Sequence, residues 1–318
     1  MEEKNSKPLV TVIVVTYNSA RFILETLESI KAQSYENIEL IISDDCSKDN
    51  TVELCQDWIS RNIARFSNVK LITAPQNTGT AGNANRALAV TTGEWVKFIA
   101  GDDLFCSDAI EKCINSISED TSVYFAEAIH FTGKLSDSNF TYERIDIEGI
   151  AFGPHSTAIS QYNILKRQFV GSGPGFFSKL SVIKEVGGFD ERFPLLEDYP
   201  LFIKIAKHGY RFKIIDHYIL YKRVDDQSVS HKKDNNAILT SIIVRCVTEY
   251  KHKYKYENLD SLWKLFLNYS LYINTLIIKN GNTYDKFICR LINRIRLLTD
   301  PFLWYSRYLD FRNKRGLY

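Results

Sequence analysis

Glu94-Trp-Val-Lys-Phe-Ile-Ala-Gly-Asp-Asp-Leu104 is the stretch whose reading decides the fold. An apolar run, Trp95 to Ala100, delivers two adjacent carboxylates, Asp102 and Asp103, to the point where the run stops. Read as a buried strand, the run puts both acids at its carboxyl end, where open α/β sheets bind their ligands. Carboxylates at such a place commonly hold a divalent cation, and Mg2+ or Mn2+ held that way commonly engages a diphosphate. Taken alone, the pair reads equally well as a solvated turn that caps a helix near Ser107. The surrounding chain has to decide.

Upstream, residues 9–16 form a β-branched run, followed by a helical pattern over 19–33 with Phe22, Ile23, Leu27 and Ile30 on one face. Residues 38–43 read as a second buried strand, 49–65 as a helix and 69–73 as a third strand. A loop over 75–82 leads to a short helix over 83–90. Downstream, 107–118 reads as a helix and 122–131 as a strand. Strands apolar throughout and separated by helices predict an α/β, doubly wound, mostly parallel sheet with helices on both faces.

Residues 133–162 read as polar loop. The pattern resumes with Gly171-Ser-Gly-Pro-Gly175, a strand at 176–177, and a helix over 179–186 closed by Gly187-Gly188. A helix over 197–207 and strands at 212–215 and 218–221 follow. Beyond about residue 234 the signal is helical, which predicts a domain over 1–234 and a helical, basic and aromatic extension over 235–318.

The 318 residues are 45% hydrophobic, enough for one large domain or two small ones. A net charge of +2 carries no nucleic-acid signal. The charge is uneven: residues 251–318 hold 13 Lys/Arg against 5 Asp/Glu. Residues 1–8 are polar and have no apolar core, unlike a signal peptide. The apolar stretch over 265–278 is broken by Asn268 and Asn274 and falls short of the roughly 20 residues of a membrane span. The six cysteines show no C-x-x-C pair and no zinc spacing, and read as reduced thiols of a cytoplasmic protein.

The turn after the first strand, Thr16-Tyr17-Asn18, lacks the glycines with which dinucleotide folds and P-loops approach phosphate. An aromatic ring there suits stacking on a base. After the second strand, Asp44 and Asp45 crowd two like charges at a strand tip, where a carboxylate can accept the ring N–H of uracil. Ser47 or Asp49 reads as the N-cap of the next helix. A third acid pair, Glu197-Asp198, opens a helix whose N-terminus also favours negative charge.

These segments together resemble glycosyltransferase family 2, the inverting group with the GT-A fold. The resemblance is carried by Thr11-Val-Ile-Val-Val-Thr-Tyr-Asn18, Asp44-Asp-Cys-Ser-Lys-Asp-Asn-Thr51, Asn77-Thr-Gly79 and Gly93-Glu94. It continues through Asp102-Asp103, Gly187-Gly-Phe-Asp190 and Glu197-Asp198, and covers about residues 8–231. It implies a UDP-type nucleotide-sugar donor bound by Thr16, Tyr17, Asn18, Asp44, Asp45, Asn77, Asn85 and Asp102. Tyr17 and Asp45 would meet the base and Asp102 the ribose. Asp103 would hold Mn2+ or Mg2+, with His231 as a second candidate at the metal or diphosphate. Asp198, with Glu197 beside it, would be the general base, and Gly171, Ser172, Gly173 and Pro174 would border the acceptor. The acceptor implied is a saccharide or lipid-linked saccharide of surface polysaccharide synthesis.

Three positions depart from the family pattern. Ala100 stands where many relatives have another Asp, and Cys46 where Gly is usual. Ala84 replaces a frequent Arg, with Arg86 the candidate substitute.

In the extension, Ile288, Leu291, Ile292, Ile295 and Leu298 form an apolar stripe beside Arg290, Arg294 and Arg296. That suits peripheral contact with an anionic membrane through 251–318, or equally a helical cap or dimer face. Two rival readings compete with a transferase. A nucleotidyltransferase would want a basic, glycine-rich loop after the first strand, and Tyr17-Asn18-Ser19-Ala20 is a poor one. A non-catalytic sugar-nucleotide scaffold would not need both Asp103 and Asp198.

Overall fold

The structure, a computed structural model, describes residues 7–137, 140–143, 151–193, 197–224, 236–239, 243–244 and 257–315. It divides into two compact units: residues 1–145, 156–161 and 171–223, and residues 146–155, 162–170 and 224–318.

The first unit is built on a nine-stranded sheet. Its parallel half is built on β1 (Val10–Thr16), flanked by β2 (Ile38–Asp44) and β4 (Trp95–Ala100), with β3 (Asn68–Thr73) outside β2. All of these pairings are parallel. The register sets Thr16 opposite Asp44, and Val15 opposite Ala100. The carboxyl ends of β1, β2 and β4 therefore share one edge, the one the apolar run pointed to. Helix α1 (Ile23–Lys31) buries Ile23, Thr26, Leu27 and Ile30, the i, i+3, i+4, i+7 spacing of one face. Helix α2 (Thr51–Asn62) follows β2, and α3 (Gly79–Ala89) precedes β4.

At the opposite edge, Glu39 is fully buried in β2. Burial would raise its carboxyl, but hydrogen bonds from Thr11, Thr92 and Asn68 outweigh that and hold it below the ordinary range. Gly93 fits there because a Cβ would lie 2.4 Å from Thr11 Oγ1. The Gly93-Glu94 signature is thus a packing requirement at the sheet's amino end.

Beyond β4 the sheet becomes mixed. After β5 (Leu104–Phe105) and α4 (Ala109–Asn115) come β6 (Val123–Phe131) and β7 (Phe140–Glu143). Helix α5 (Ala158–Leu165) and strand β8 (Phe177–Lys179) follow. β8 lies antiparallel between β4 and β6. Trp95 of β4 stacks on Phe177 of β8 with centroids 4.8 Å apart. Helices α6 (Leu180–Glu185) and α7 (Asp198–Lys207) then lead to β9 (Phe212–Arg223), parallel to β6.

Four expectations change in detail. The expected loop over 133–162 contains β7 and the start of α5. The strands at 212–215 and 218–221 are one strand, interrupted by a register shift beside Ala126 and Glu127 of β6. Helix α3 begins at Gly79 because Asp45 caps it, as described below. Sheet neighbours after β4 are partly antiparallel, since β8 returns along β4.

In the second unit, α8 (Ser261–Lys279), α9 (Phe287–Thr299) and α10 (Pro301–Lys314) carry most of the described residues. Asp260 caps α8 by accepting Trp263 N–H, and Asp300 caps α10 by accepting Phe302 N–H. Ile273 and Ile277 of α8 pack with Ile292 of α9 and Leu239. No helix among the described residues is long and apolar enough to cross a membrane.

Candidate active site

The carboxyl edge of β1, β2 and β4 is held together by short polar side chains. Gly101 lets the tips of β1 and β4 close up: a Cβ there would lie 2.9 Å from Thr16 Oγ1. Thr16 Oγ1 is buried and has no hydrogen-bond partner. Tyr17 projects its ring, about half exposed, beside that atom in sequence. Asn18, in the left-handed region at φ 52°, ties the β1 turn to the β2 turn. Its N–H donates to Ser47 Oγ and its Oδ1 accepts Lys48 N–H.

The two acids after β2 have different surroundings. Asp44 accepts both the N–H and the hydroxyl of Ser47, which closes the turn. Asp45 is buried and accepts from Thr78 N–H, Thr78 Oγ1 and Gly79 N–H, so it caps α3. Arg86 reaches the same carboxylate at 3.2 Å, which places the candidate replacement for the missing arginine at Asp45. Cys46 takes φ 68°, so the turn keeps the left-handed geometry that glycine usually supplies. The N-cap of α2 is Asn50 rather than Ser47 or Asp49; Asp49, one position earlier, accepts Thr51 N–H and Ala20 N–H and ties the helix start to the β1 turn.

Asn77 accepts Gly79 N–H at the same helix start. Asn85 faces elsewhere: its amide exchanges hydrogen bonds with the backbone of Phe189, and its Nδ2 also reaches Glu191. Its two-residue neighbour Asn83, which sequence reasoning passed over, is buried between the strand tips. Asn83 donates to Thr16 O and Ser43 O, and accepts from Ser43 Oγ and Arg86 Nη1. Identical amides two positions apart gave no signal in sequence to choose between them.

Asp102 is half-buried and Asp103 is buried. Burial first, and then the charge of Asp102, pushes the Asp103 carboxyl up to about 7. Asp103 Oδ1 accepts the backbone N–H of Arg223. The Arg223 guanidinium is itself fully engaged. It donates to Asp102 O, Gly133 O and Glu25, and lies 4.2 Å from the Phe22 ring centroid and 4.6 Å from that of Phe131. Arg223 therefore fixes the acid pair rather than facing a ligand. Among the described residues no group of three or more His, Cys, Asp or Glu side chains gathers to hold a metal. Two adjacent carboxylates, one of them buried and disfavoured as an anion by burial and by its neighbour's charge, nonetheless fit a hard divalent cation that takes its other ligands from phosphate and water. His231 lies outside the described residues.

Glu197 and Asp198 form the third acid pair, at the start of α7. Burial, and then the charge of Asp198, raises Glu197 to about 7. Asp198 is raised as well, chiefly by burial, against the opposing effect of its hydrogen bond from Tyr199 N–H and of the Lys222 charge. The same lysine opposes the rise at Asp103, so its ammonium acts on both acid pairs.

The segment 171–175 comes directly against Asp198. A Cβ on Gly173 would lie 2.4 Å from Asp198 Oδ2, and one on Gly175 would strike Ala126 O. Ser172 Oγ accepts Gly175 N–H and tightens the turn. Lys97, fully buried in β4, donates from Nζ to Phe98 O and Pro174 O. Sequence reasoning missed Lys97, because its partner Pro174 lies far along the chain and nothing local marks the lysine. Gly171 to Pro174 and Asp198 are thus brought together, while Asn85 is turned toward Phe189.

The sequence pattern described as glycosyl transferase family 2 matches residues 11–180, just over half the chain. An uncharacterized glycosyltransferase of Haemophilus influenzae is 28% identical over 239 residues, covering 73% of this chain and 86% of the relative. The Escherichia coli UDP-Glc:alpha-D-GlcNAc-diphosphoundecaprenol beta-1,3-glucosyltransferase WfaP is 28% identical over 242 residues, covering 75% of this chain and 86% of the relative. Among solved structures, Staphylococcus aureus TarS residues 1–349 in complex with UDP-GlcNAc superposes with a TM-score of 0.57 at 20% identity, covering 96% of this chain and 89% of that one. The chain spans 54% of the longer TarS structure. A Pyrobaculum calidifontis mannosyltransferase in complex with GDP-Man and Mn2+ gives a TM-score of 0.53 at 19% identity, covering 98% and 73%. These structural likenesses are to the fold, which is of the GT-A type. With the family pattern running from β1 through the start of α6, the chain belongs to glycosyl transferase family 2.

Proposed function

We propose that this chain transfers a sugar, with inversion, from a UDP-type donor to a hydroxyl of a saccharide or lipid-linked saccharide acceptor. The carrying observation is Asp198: a half-buried carboxylate whose carboxyl is raised, pressed against Gly173 of the glycine segment 171–175. A base whose proton affinity lies nearer neutrality takes a hydroxyl proton more effectively, an effect worth roughly 10²–10⁴ in rate. One base on the face opposite the leaving group favours direct displacement.

The other roles follow from position. Tyr17, with its ring about half exposed, stacks on the base, and Thr16 supports the strand tip beneath it. Asp45 and Asn77 shape the α3 start, Asn18 and Asp44 hold the turns around the nucleotide, and Asp102 meets the ribose. Asn85 acts on this site indirectly, by fixing Phe189. Asp103 would hold Mn2+ or Mg2+, which when bound neutralises charge on the diphosphate leaving group. Lys222 adds a positive charge that acts on both acid pairs. The TarS complex with UDP-GlcNAc supports a uridine donor, the mannosyltransferase complex with Mn2+ supports the metal, and WfaP supports a lipid-linked acceptor. The five described cysteines are all free thiols, which accords with a cytoplasmic site of action.

The test is thermal stabilisation by nucleotides with Mn2+, with Mg2+ and with EDTA. UDP at about 100 times its dissociation constant should add about 2.7 kcal/mol. That gain should require metal and vanish in Asp103→Ala. Absence of any shift with uridine, thymidine or guanosine diphosphates would overturn the reading.

A further inference from the structure

Helix α9 presents an apolar face that nothing among the described residues covers. Phe287, Ile288, Leu291, Ile295 and Leu298 are 42–69% exposed. At about 100° per residue these five positions fall within an arc of about 100°, and the arc is flanked on one side by Arg294 and Arg290. The opposite face carries the buried Cys289, Ile292 and Asn293, so the exposed arc is not the side that packs on α8.

The face continues past the end of α9. Leu298 also lines an open, mostly apolar groove of about 480 Å3 with Trp263, Phe266, Trp304, Tyr305 and Tyr308. Trp304 is more than half exposed, and its indole N–H is satisfied by Leu298 O. Its ring can therefore meet an apolar medium with no unpaired donor. Further along α10, Arg312 and Arg315 lie over the rings of Tyr308 and Phe311. Residues 251–318 as a whole carry a net charge of +8.

An exposed apolar arc edged by arginines, with a tryptophan at its end, has the physical chemistry of a helix lying in a bilayer interface. From this we infer that α9, together with the Leu298–Trp304 groove, docks this chain on an anionic lipid bilayer. The apolar arc enters the acyl boundary while Arg290 and Arg294 stay at the headgroups. The charge decides for a bilayer over a second copy of the chain: two copies would bring like-charged arginines face to face, whereas an anionic surface neutralises them. The inference deepens the proposal of a lipid-linked acceptor and rests on it for its purpose, though not for its geometry.

The test uses the full chain and vesicles of equal parts phosphatidylglycerol and phosphatidylcholine, against phosphatidylcholine alone, at low salt. Binding should favour the anionic vesicles and weaken about tenfold or more in Leu291→Glu/Ile295→Glu, and again in Arg294→Glu. Both positions of the first variant are exposed, and stabilisation by UDP, measured on the same samples, reports whether the first unit is intact. Wild-type failure to bind anionic vesicles overturns the inference, as does undiminished binding by both variants. So does a concentration-dependent dimer that Leu291→Glu/Ile295→Glu abolishes without any vesicle binding. Loss of UDP stabilisation in the wild type would instead sink the transferase reading and leave vesicle docking to be judged by its own result.

Discussion

Gly173 faces Asp198 so closely that a Cβ on residue 173 would lie 2.4 Å from Asp198 Oδ2. The chain segment proposed to border the acceptor is thereby built against the carboxylate proposed to deprotonate it. Gly173→Ala should displace that carboxylate, and turnover should fall about tenfold to a hundredfold with UDP stabilisation unchanged. Asp198→Asn should cost roughly 10²–10⁴ in kcat, also with donor binding retained. Normal turnover in Asp198→Asn would remove it from the chemistry.

Glu197 predicts a pH dependence of stability. Its carboxyl is raised from 4.5 to about 7, by burial first and the charge of Asp198 second. Between those values the folded chain keeps a proton that the unfolded chain has released. Stability contributed by this group therefore falls as pH rises through that window and stays lower above it. Glu197→Gln removes the ionisation. Its melting temperature should exceed that of the wild type by a few degrees at pH 8, and the gap should close toward pH 5. An equal gap at both values would contradict the assignment.

Arg223 predicts a coupling between stability and the metal site. Its guanidinium lies between the Phe22 and Phe131 rings and donates to Glu25, Gly133 O and Asp102 O. Arg223 is buried, so Arg223→Ala removes three side-chain hydrogen bonds and the packing against two rings, and should cost about 2–3 kcal/mol in denaturant unfolding. Arg223→Lys should recover little, because an ammonium cannot fill the planar slot or reach three acceptors in one fork. Both variants should weaken metal-dependent stabilisation by UDP, since Arg223 N–H and side chain hold the Asp102–Asp103 turn.

Lys97 predicts an effect on the acceptor alone. Burial lowers its ammonium to about 8, and its Nζ is anchored on Phe98 O and Pro174 O. Lys97→Met should free the Pro174 segment and raise the acceptor KM about tenfold, leaving UDP stabilisation as it was. A change in donor binding with an unchanged acceptor KM would show that the lysine serves the nucleotide side instead.

Much of this molecule was legible in sequence because its signals are local. The β-branched runs that became β1, β2 and β4 are buried through nearly all their length, and an apolar run of that kind admits few other readings. The acids at their tips, and the pair that opens α7, could be placed at element ends from the pattern alone. What sequence could not decide depends on contacts between residues far apart in the chain. Asn83 rather than Asn85 sits between the strand tips because β1 and β2 converge there, and Asn85 meets Phe189 more than a hundred positions away. Lys97 is a buried tether only because β8 returns antiparallel beside β4 and brings Pro174 with it. Arg223 clamps the acid pair because β9 pairs with β5, across more than a hundred residues. Local periodicity is set by bonds along the chain and can be read there. Which carboxylate is buried, which lysine is tethered and which amide is turned away are set by partners that only the closed sheet brings within reach.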